Sequence, residues 1–178
     1  MTEWSARADS QLPSLPISQS TEKTLVLGLG NPILTDDGVG IHVVRAVAEC
    51  CSRDDVVFAE ASVGGLRLLE IIAGYDRIIL VDAIQTTGGQ PGDLYRLHPH
   101  DLRASLHAGS THDLSLPGAL ALGRSLGLPL PPDEGFAILA VEVDDVLTFG
   151  ESCTPHVQAA IPQVAQKVLE EISAPAER

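Results

Sequence analysis

The sequence predicts an α/β protein, a three-layer α/β/α sandwich in which helices cover both faces of a mostly parallel, five-stranded twisted sheet. Short runs of Leu, Val and Ile alternate along the chain with segments of helical periodicity, the pattern that builds such sheets. The run 78–81 is apolar at every position, as expected of a strand that is covered on both faces. With 178 residues, 44% of them hydrophobic, the chain can bury a sizeable core.

The predicted strands are short segments rich in apolar residues that are bounded by Gly, Pro or polar residues. In chain order the strands are predicted over 25–27, 55–61, 77–81, 93–97 and 136–141, the fourth at a sheet edge. The helices show an apolar stripe with a period near 3.6 residues. They are predicted over 37–50, 66–73, 115–126 and from 155 to near the C-terminus. The last helix has Thr154 as its N-cap and Pro155 at its first position, and Pro162 is predicted to kink it.

The first 22 residues differ from the rest of the chain. They are rich in Ser, Pro, Gln and charged residues and show no sustained apolar period. This composition is typical of a disordered N-terminal tail. No internal repeat follows, so residues 23–178 are predicted to form a single α/β domain.

Charge and composition argue against several classes of function. A net charge of −13 disfavours nucleic-acid binding, because contact with a phosphate backbone needs a surface of Lys and Arg. No apolar run reaches the ~18 residues of a transmembrane helix, and no secretory signal is visible, so membrane insertion is not expected. The three cysteines lack C-x-x-C spacing, which favours a reducing cytoplasm over a disulfide framework.

The turn after the first strand is rich in glycine and carries two adjacent acids, Asp36 and Asp37. A helix N-terminus usually attracts an anion, but here the protein supplies the anions itself, which suits a bound cation better than a phosphate. Either acid could instead cap the helix or complement its dipole. Since two caps are not needed, at least one of these carboxylates is expected to project from the turn.

Two further residues are predicted to lie at the same edge of the sheet. Asp82 follows the strand 77–81, and His112 precedes the helix 115–126. Ligands of open α/β sheets bind at the carboxyl ends of the strands. Asp82 could alternatively cap the following turn, and a single loop histidine is more often structural than catalytic. Taken together, one imidazole and two carboxylates form a ligand set that borderline divalent metals accept.

Other catalytic and binding motifs are weak or absent. The segment from Gly28 matches a dinucleotide-binding fingerprint at its first two glycines only, since Ile33 stands where the third is needed. Glu60 is a possible match for the acid expected further along that motif. No Gly-Lys-Ser/Thr phosphate loop and no G-x-S-x-G elbow occur, and no cysteine follows a strand directly.

Four segments together resemble the hydrogenase maturation endopeptidases, which trim the C-terminal extension of [NiFe]-hydrogenase large subunits after nickel insertion. They read, in chain order, G-L-G-N-P-I-L-T-D-D-G-V-G, I-I-L-V-D-A, S-T-H-D-L-S-L and T-P-H-V-Q-A-A-I-P. The resemblance spans residues 24–172. The family's D-G-G-T segment after the second strand is replaced here by the sequence E-A-S-V-G-G at 60–65.

The resemblance implies both an activity and a set of site residues. The family's three metal-contacting residues correspond to Asp37, Asp82 and His112, and the metal is the nickel of the substrate precursor, for which zinc could substitute. Asp37 is one methylene shorter than the Glu of many members, a difference of ~1.5 Å in carboxylate position. Either metal-bound water attacks the peptide, or a carboxylate such as Asp36 or Asp37 acts as the base, with Asp82 part of the catalytic set.

The function expected from the resemblance is therefore a cytoplasmic endopeptidase that acts on a nickel-loaded large-subunit precursor. Two alternatives remain at this stage. One is a non-catalytic metal- or nucleotide-binding Rossmann-like module. The other is a chaperone of the same fold that binds the precursor without cutting it.

Overall fold

The computed structural model describes residues 22–103 and 116–175. Within these ranges there are five strands, β1 Thr24–Leu29, β2 Val56–Ala61, β3 Arg77–Ile84, β4 Leu94–Leu97 and β5 Phe136–Glu142. The α-helices in the same ranges are α1 Val39–Cys50, α2 Leu66–Ile72, α3 Leu116–Ser125 and α4 Pro155–Ser173. Short 3-10 turns cover Thr35–Gly38, Asp101–Arg103 and Asp133–Gly135. The predicted tail lies outside the described residues except for Glu22, as does His112.

The strands form one sheet in the order β2-β1-β3-β5-β4. Three of the four neighbouring pairs are parallel, and β4 pairs antiparallel with β5 at the edge. This confirms the predicted five-stranded, mostly parallel sheet with one short edge strand. No helix in the described ranges is long and apolar enough to cross a membrane.

Helices cover both faces of the sheet and create two cores. On one face α1 and α4 contribute buried residues such as Val43 and Val157, and on the other α2 and α3 contribute Leu69 and Leu120. Along β3, Ile79 and Val81 belong to the first core, whereas Ile78 and Leu80 belong to the second. This division explains the continuous apolar run, and the same alternation puts Asp82 on the α2 and α3 side.

The boundaries near the predicted site differ from those expected. β3 continues to Ile84, so Asp82 lies inside the strand, opposite Ala140 of β5, and not beyond its end. The predicted start of α1 at Asp37 is replaced by a 3-10 turn, with the α-helix beginning at Val39 and Gly38 as its N-cap. Neither Asp36 nor Asp37 therefore caps α1.

The last helix begins where the sequence predicts, with Thr154 as N-cap and Pro155 as the first residue, and it continues through Pro162. The Thr154 side chain does not cap the helix, however. Its hydroxyl donates instead to Asp36, 118 positions earlier in the chain. A residue that sequence alone assigns to local capping thus makes a long-range contact.

Candidate active site at the carboxyl edge of the sheet

The loop between β1 and α1 lies so close to the sheet that glycine is required. A Cβ atom on Gly28 would lie 2.5 Å from the carbonyl oxygen of Gly40, and one on Gly40 would collide with the carbonyl of Val81. Gly30 has a φ of 129°, and a side chain there would collide with the Asp37 backbone. These contacts hold the start of α1 against the ends of β1 and β3.

Asp37 is held by this loop and stays partly exposed. Its Oδ2 accepts a hydrogen bond of 2.7 Å from the backbone N–H of Asn31. Its Oδ1 accepts none from the parts of the chain that the structure describes. The side chain is therefore oriented by one oxygen and can offer the other to a ligand.

Asp82 has a strongly perturbed acidity. Burial raises the pKa of its carboxyl to about 7, the hydrogen bond from Ala83 N to Oδ1 (2.9 Å) opposes this rise, and the negative charge of Asp37 adds to it. Asp37 and Asp82 are thus close enough to repel each other. A cation placed between them would remove that repulsion and favour the ionised form of both.

Asp36 is fully buried and its carboxylate is occupied. Oδ1 accepts a hydrogen bond of 2.6 Å from Thr154 N, and Oδ2 accepts bonds from Thr154 Oγ1 and Asp145 N at 3.0 and 3.2 Å. This side chain joins the β1–α1 loop to the connection between β5 and α4. These bonds give Asp36 a structural role and leave neither oxygen available for the role of base that the sequence allows.

His112, the third predicted ligand, lies outside the described residues. It is four positions before Leu116, the first residue of α3. Leu116 packs on the same face of the sheet on which Asp82 lies. Within 22–103 and 116–175, no group of three His, Cys, Asp or Glu side chains is arranged to hold a metal ion. The described structure therefore brings Asp37 and Asp82 together and leaves the third ligand a prediction.

A buried acid that the sequence analysis did not select also lies at this edge. Glu142 ends β5, is 3% exposed, and accepts hydrogen bonds from Thr86 N at 2.6 Å and Thr86 Oγ1 at 2.8 Å. Gly89 lies directly over its carboxylate, where a Cβ would collide with it. Glu142 thereby anchors the glycine-rich loop 85–92 beside Asp82. The sequence contains a signal that could have identified Glu142, because it is an acid that ends the apolar run 136–141, just as Asp82 ends the run 78–81.

The cysteines give no support for a thiol nucleophile. Cys153 is buried, which raises the pKa of its thiol to about 11, and the charge of Asp36 adds to the rise. It therefore stays protonated at neutral pH. Cys50 and Cys51 lie at the far end of α1, away from Asp37. Among the described residues at this edge, carboxylates and not thiols are therefore the candidate functional groups.

Comparisons with known proteins identify the family to which the chain is related. A sequence profile of the hydrogenase maturation protease family matches residues 41–171. The hydrogenase 2 maturation protease of Escherichia coli K12 is 30% identical over 149 residues, which cover 83% of this chain and 88% of that protein.

Solved structures show the same similarity in three dimensions. The hydrogenase maturating endopeptidase HybD from E. coli superimposes with a TM-score of 0.73 at 29% identity, over 85% of this chain and 92% of that one. The [NiFe] hydrogenase maturation protease HybD from Thermococcus kodakarensis gives 0.61 at 24% identity, over 85% and 99%. This second likeness shows the fold alone.

Proposed function

The chain belongs to the hydrogenase maturation protease family and is an endopeptidase; we propose that it removes the C-terminal extension of a nickel-loaded [NiFe]-hydrogenase large-subunit precursor. The single observation that carries the proposal is the pair Asp37 and Asp82 at the carboxyl edge of the sheet. Their mutual repulsion raises the pKa of Asp82 further than burial alone. Such a pair favours a divalent cation, and the cation comes with the substrate.

In this proposal the precursor's nickel is held by Asp37, Asp82 and His112. Two carboxylates and one imidazole suit nickel, and zinc could replace it. Binding requires that Asp82 be ionised, so the metal displaces its proton. The enzyme can thereby distinguish a loaded precursor from an empty one, because without the metal the two acids do not attract the substrate.

Peptide hydrolysis needs a water molecule that attacks the carbonyl carbon and a group that accepts its proton. Of the two loop acids, Asp37 alone has an oxygen that is not bonded within the described parts of the protein, so Asp37 and not Asp36 can contact the metal or, in its place, act as the base. The bound metal would polarise the water or the carbonyl. The proton then passes to the leaving amine as the peptide bond breaks.

We assign the reaction to the cytoplasm. The three cysteines are free, as expected of a reducing compartment. The net charge of −13 keeps nucleic acid out of the proposed set of partners. The partner is the precursor polypeptide itself.

The test is incubation of the protein with nickel-loaded and nickel-free precursor, read by mass spectrometry. The loaded precursor should lose a C-terminal peptide and the nickel-free one should not. Asp82→Asn should reduce the rate by 10-fold or more, since even outer contacts of a metal site have effects of that size. Asp54→Asn, which alters an exposed acid in the turn before β2, is the matched control and should cleave normally.

The same experiment separates the two alternatives. A chaperone of this fold would bind the precursor without any change in its mass. A metal- or nucleotide-binding module would neither cleave nor retain it. The endopeptidase names of the relatives do not favour either alternative.

A further inference from the structure

Three large apolar side chains are exposed to solvent on the β1–α1 loop, which carries Asp37, and on the β5–α4 connection bonded to it. Ile33 is 50% exposed, Leu147 84% and Phe149 80%. Leu34 forms a parallel bridge with Gly150, so the preceding residues, Ile33 and Phe149, are neighbours on the two bridged segments. We name Ile33, Leu147 and Phe149 the apolar rim.

The backbone under the rim is extensively hydrogen-bonded. Thr35 N donates to Gly150 O at 2.9 Å, Gly150 N donates to Ile33 O at 3.1 Å, and Thr35 Oγ1 donates to Thr148 O at 2.6 Å. Asp145 Oδ1 also accepts bonds from the N–H groups of Leu147 and Thr148. The fold therefore presents these side chains to solvent on a fixed support. Clustered, exposed apolar side chains of this size mark an interaction surface.

The rim and Asp37 share one support. The N–H of Asn31 that orients Asp37 is two residues from Ile33. The buried carboxylate of Asp36 binds the backbone of Asp145 and Thr154 at either end of the segment that carries Leu147 and Phe149. The same loop therefore carries both Asp37 and Ile33, four residues apart, so that one bound polypeptide can contact both.

The charge around the rim selects among polypeptides. Residues 24–44 and 125–166 contain no Lys or Arg. Asp144 and Glu151 are exposed on either side of the rim. Hydrogen bonds from the hydroxyl and N–H of Thr148 and from Leu147 N lower the pKa of Asp145, which is therefore anionic at neutral pH. A segment that combines apolar and basic side chains fits this surface.

We propose that the apolar rim docks an apolar stretch of the large-subunit precursor that has Lys or Arg beside it. This inference rests on the proposed function and adds the surface that selects the substrate polypeptide, separately from the metal. Leu147 and Phe149 supply apolar area that becomes buried when the precursor binds, and Asp144 and Glu151 attract the basic neighbours of the apolar stretch.

The test is steady-state cleavage of a nickel-loaded precursor that the wild-type enzyme processes. The double variant Leu147→Ser/Phe149→Ser should lower kcat/KM by about 10-fold, mainly through KM, because each lost apolar contact weakens binding. The matched control is Leu126→Ser. Leu126 is 70% exposed but lies after α3, near the segment that bonds Gly74 at the opposite edge of the sheet.

A second pair of substitutions tests the charge. Asp144→Asn/Glu151→Gln should raise KM by about 2-fold to 3-fold in low salt, and the effect should disappear in high salt. All these substitutions are at exposed positions, so melting temperatures should match that of the wild type, and circular dichroism checks this.

The outcomes separate this proposal from the one on which it rests. A wild-type enzyme that cleaves no precursor overturns the proposed function and the docking proposal with it. A wild-type enzyme that cleaves, with a rim variant of unchanged KM, overturns the docking proposal alone. Equal losses in the rim variant and in Leu126→Ser overturn it as well, because the effect would not be local to the rim.

Discussion

Charged side chains are arranged in opposite ways at the two ends of the strands, the amino edge and the carboxyl edge of the sheet. At the amino edge Glu171 of α4 is 6% exposed and bonds two arginines, Arg77 at 3.2 Å and Arg96 at 2.6 Å. Arg77 also donates to Ala174 O at 2.7 Å. At the carboxyl edge Asp37 and Asp82 repel each other, and no Lys or Arg bonds either of them within the described ranges.

The contrast separates stability from function. Paired charges at the amino edge tie α4 to β3 and β4 and complete that end of the fold. The carboxyl edge retains an electrostatic conflict that a divalent cation would relieve, as expected of a site built for a ligand that arrives from outside. Each of the following predictions changes one edge and leaves the other as a reference.

The largest expected effect on stability is at the amino edge. Glu171→Gln removes the carboxylate that both Arg77 and Arg96 bond, and breaking such a buried ion pair costs about 3–5 kcal/mol of unfolding free energy. Urea unfolding measures the loss. Glu170→Gln is the matched control, because Glu170 forms an exposed pair with Lys167 and its loss should leave the urea midpoint unchanged. If the two variants were equally stable, the amino-edge network would not contribute to folding.

At the carboxyl edge, replacing an acid should increase the free energy of unfolding instead of lowering it. The pKa of Asp82 is raised from its ordinary value of 3.8 to about 7, so its protonated form stabilises the fold. That contribution is complete below pH ~4 and is lost as pH rises through about 7. Asp82→Asn should therefore be more stable than the wild type at pH 8, by up to about 4 kcal/mol, with a smaller difference at pH 4.

Unfolding of both proteins in urea across this range measures the difference. The Glu171→Gln background, which alters the other edge, should show the same pH dependence. An Asp82→Asn protein that is less stable than the wild type at pH 8 would contradict the raised pKa.

Asp36 provides a smaller effect and distinguishes the two loop acids. Asp36→Asn puts an amide donor where four protein donors converge, and this should cost about 1–3 kcal/mol. Asp37→Asn should have little effect on stability, since a single hydrogen bond reaches its carboxylate. Melting temperatures and cleavage rates of the two variants together show which acid stabilises the fold and which acts in the reaction. A fully stable but inactive Asp36→Asn protein would return Asp36 to the catalytic set.

The sequence predicts the framework well because the framework depends on local pattern. The five strands and their mostly parallel arrangement follow from the alternation of apolar runs and helices. The predicted strand 77–81 is three residues shorter than the observed strand Arg77–Ile84. The position of Asp82 at the carboxyl edge follows from the same logic, because parallel strands present their ends on one side.

Sequence could not predict what depends on contacts between distant segments. Asp36 and Asp37 are adjacent and chemically identical, yet one bonds Thr154, 118 positions away, and the other accepts a single hydrogen bond from Asn31 N. Glu142 likewise acquires its role from Thr86, 56 positions earlier. No local period distinguishes these acids, so their roles emerge only from the fold. His112 and the ligand set to which it is assigned remain predictions.

The measurement that tests the account most directly is calorimetric titration with Ni²⁺ at pH 6 and pH 8. The wild type should bind the metal at least about 10-fold more tightly at pH 8 than at pH 6. Both Asp82, with a pKa of about 7, and the His112 imidazole, with an ordinary pKa of about 6.5, must lose a proton before they can bind the metal. Asp82→Asn and His112→Ala should each weaken binding and reduce its pH dependence, while Asp54→Asn should match the wild type. If Asp82→Asn bound nickel with wild-type affinity at both pH values, the carboxyl edge would not be the metal site.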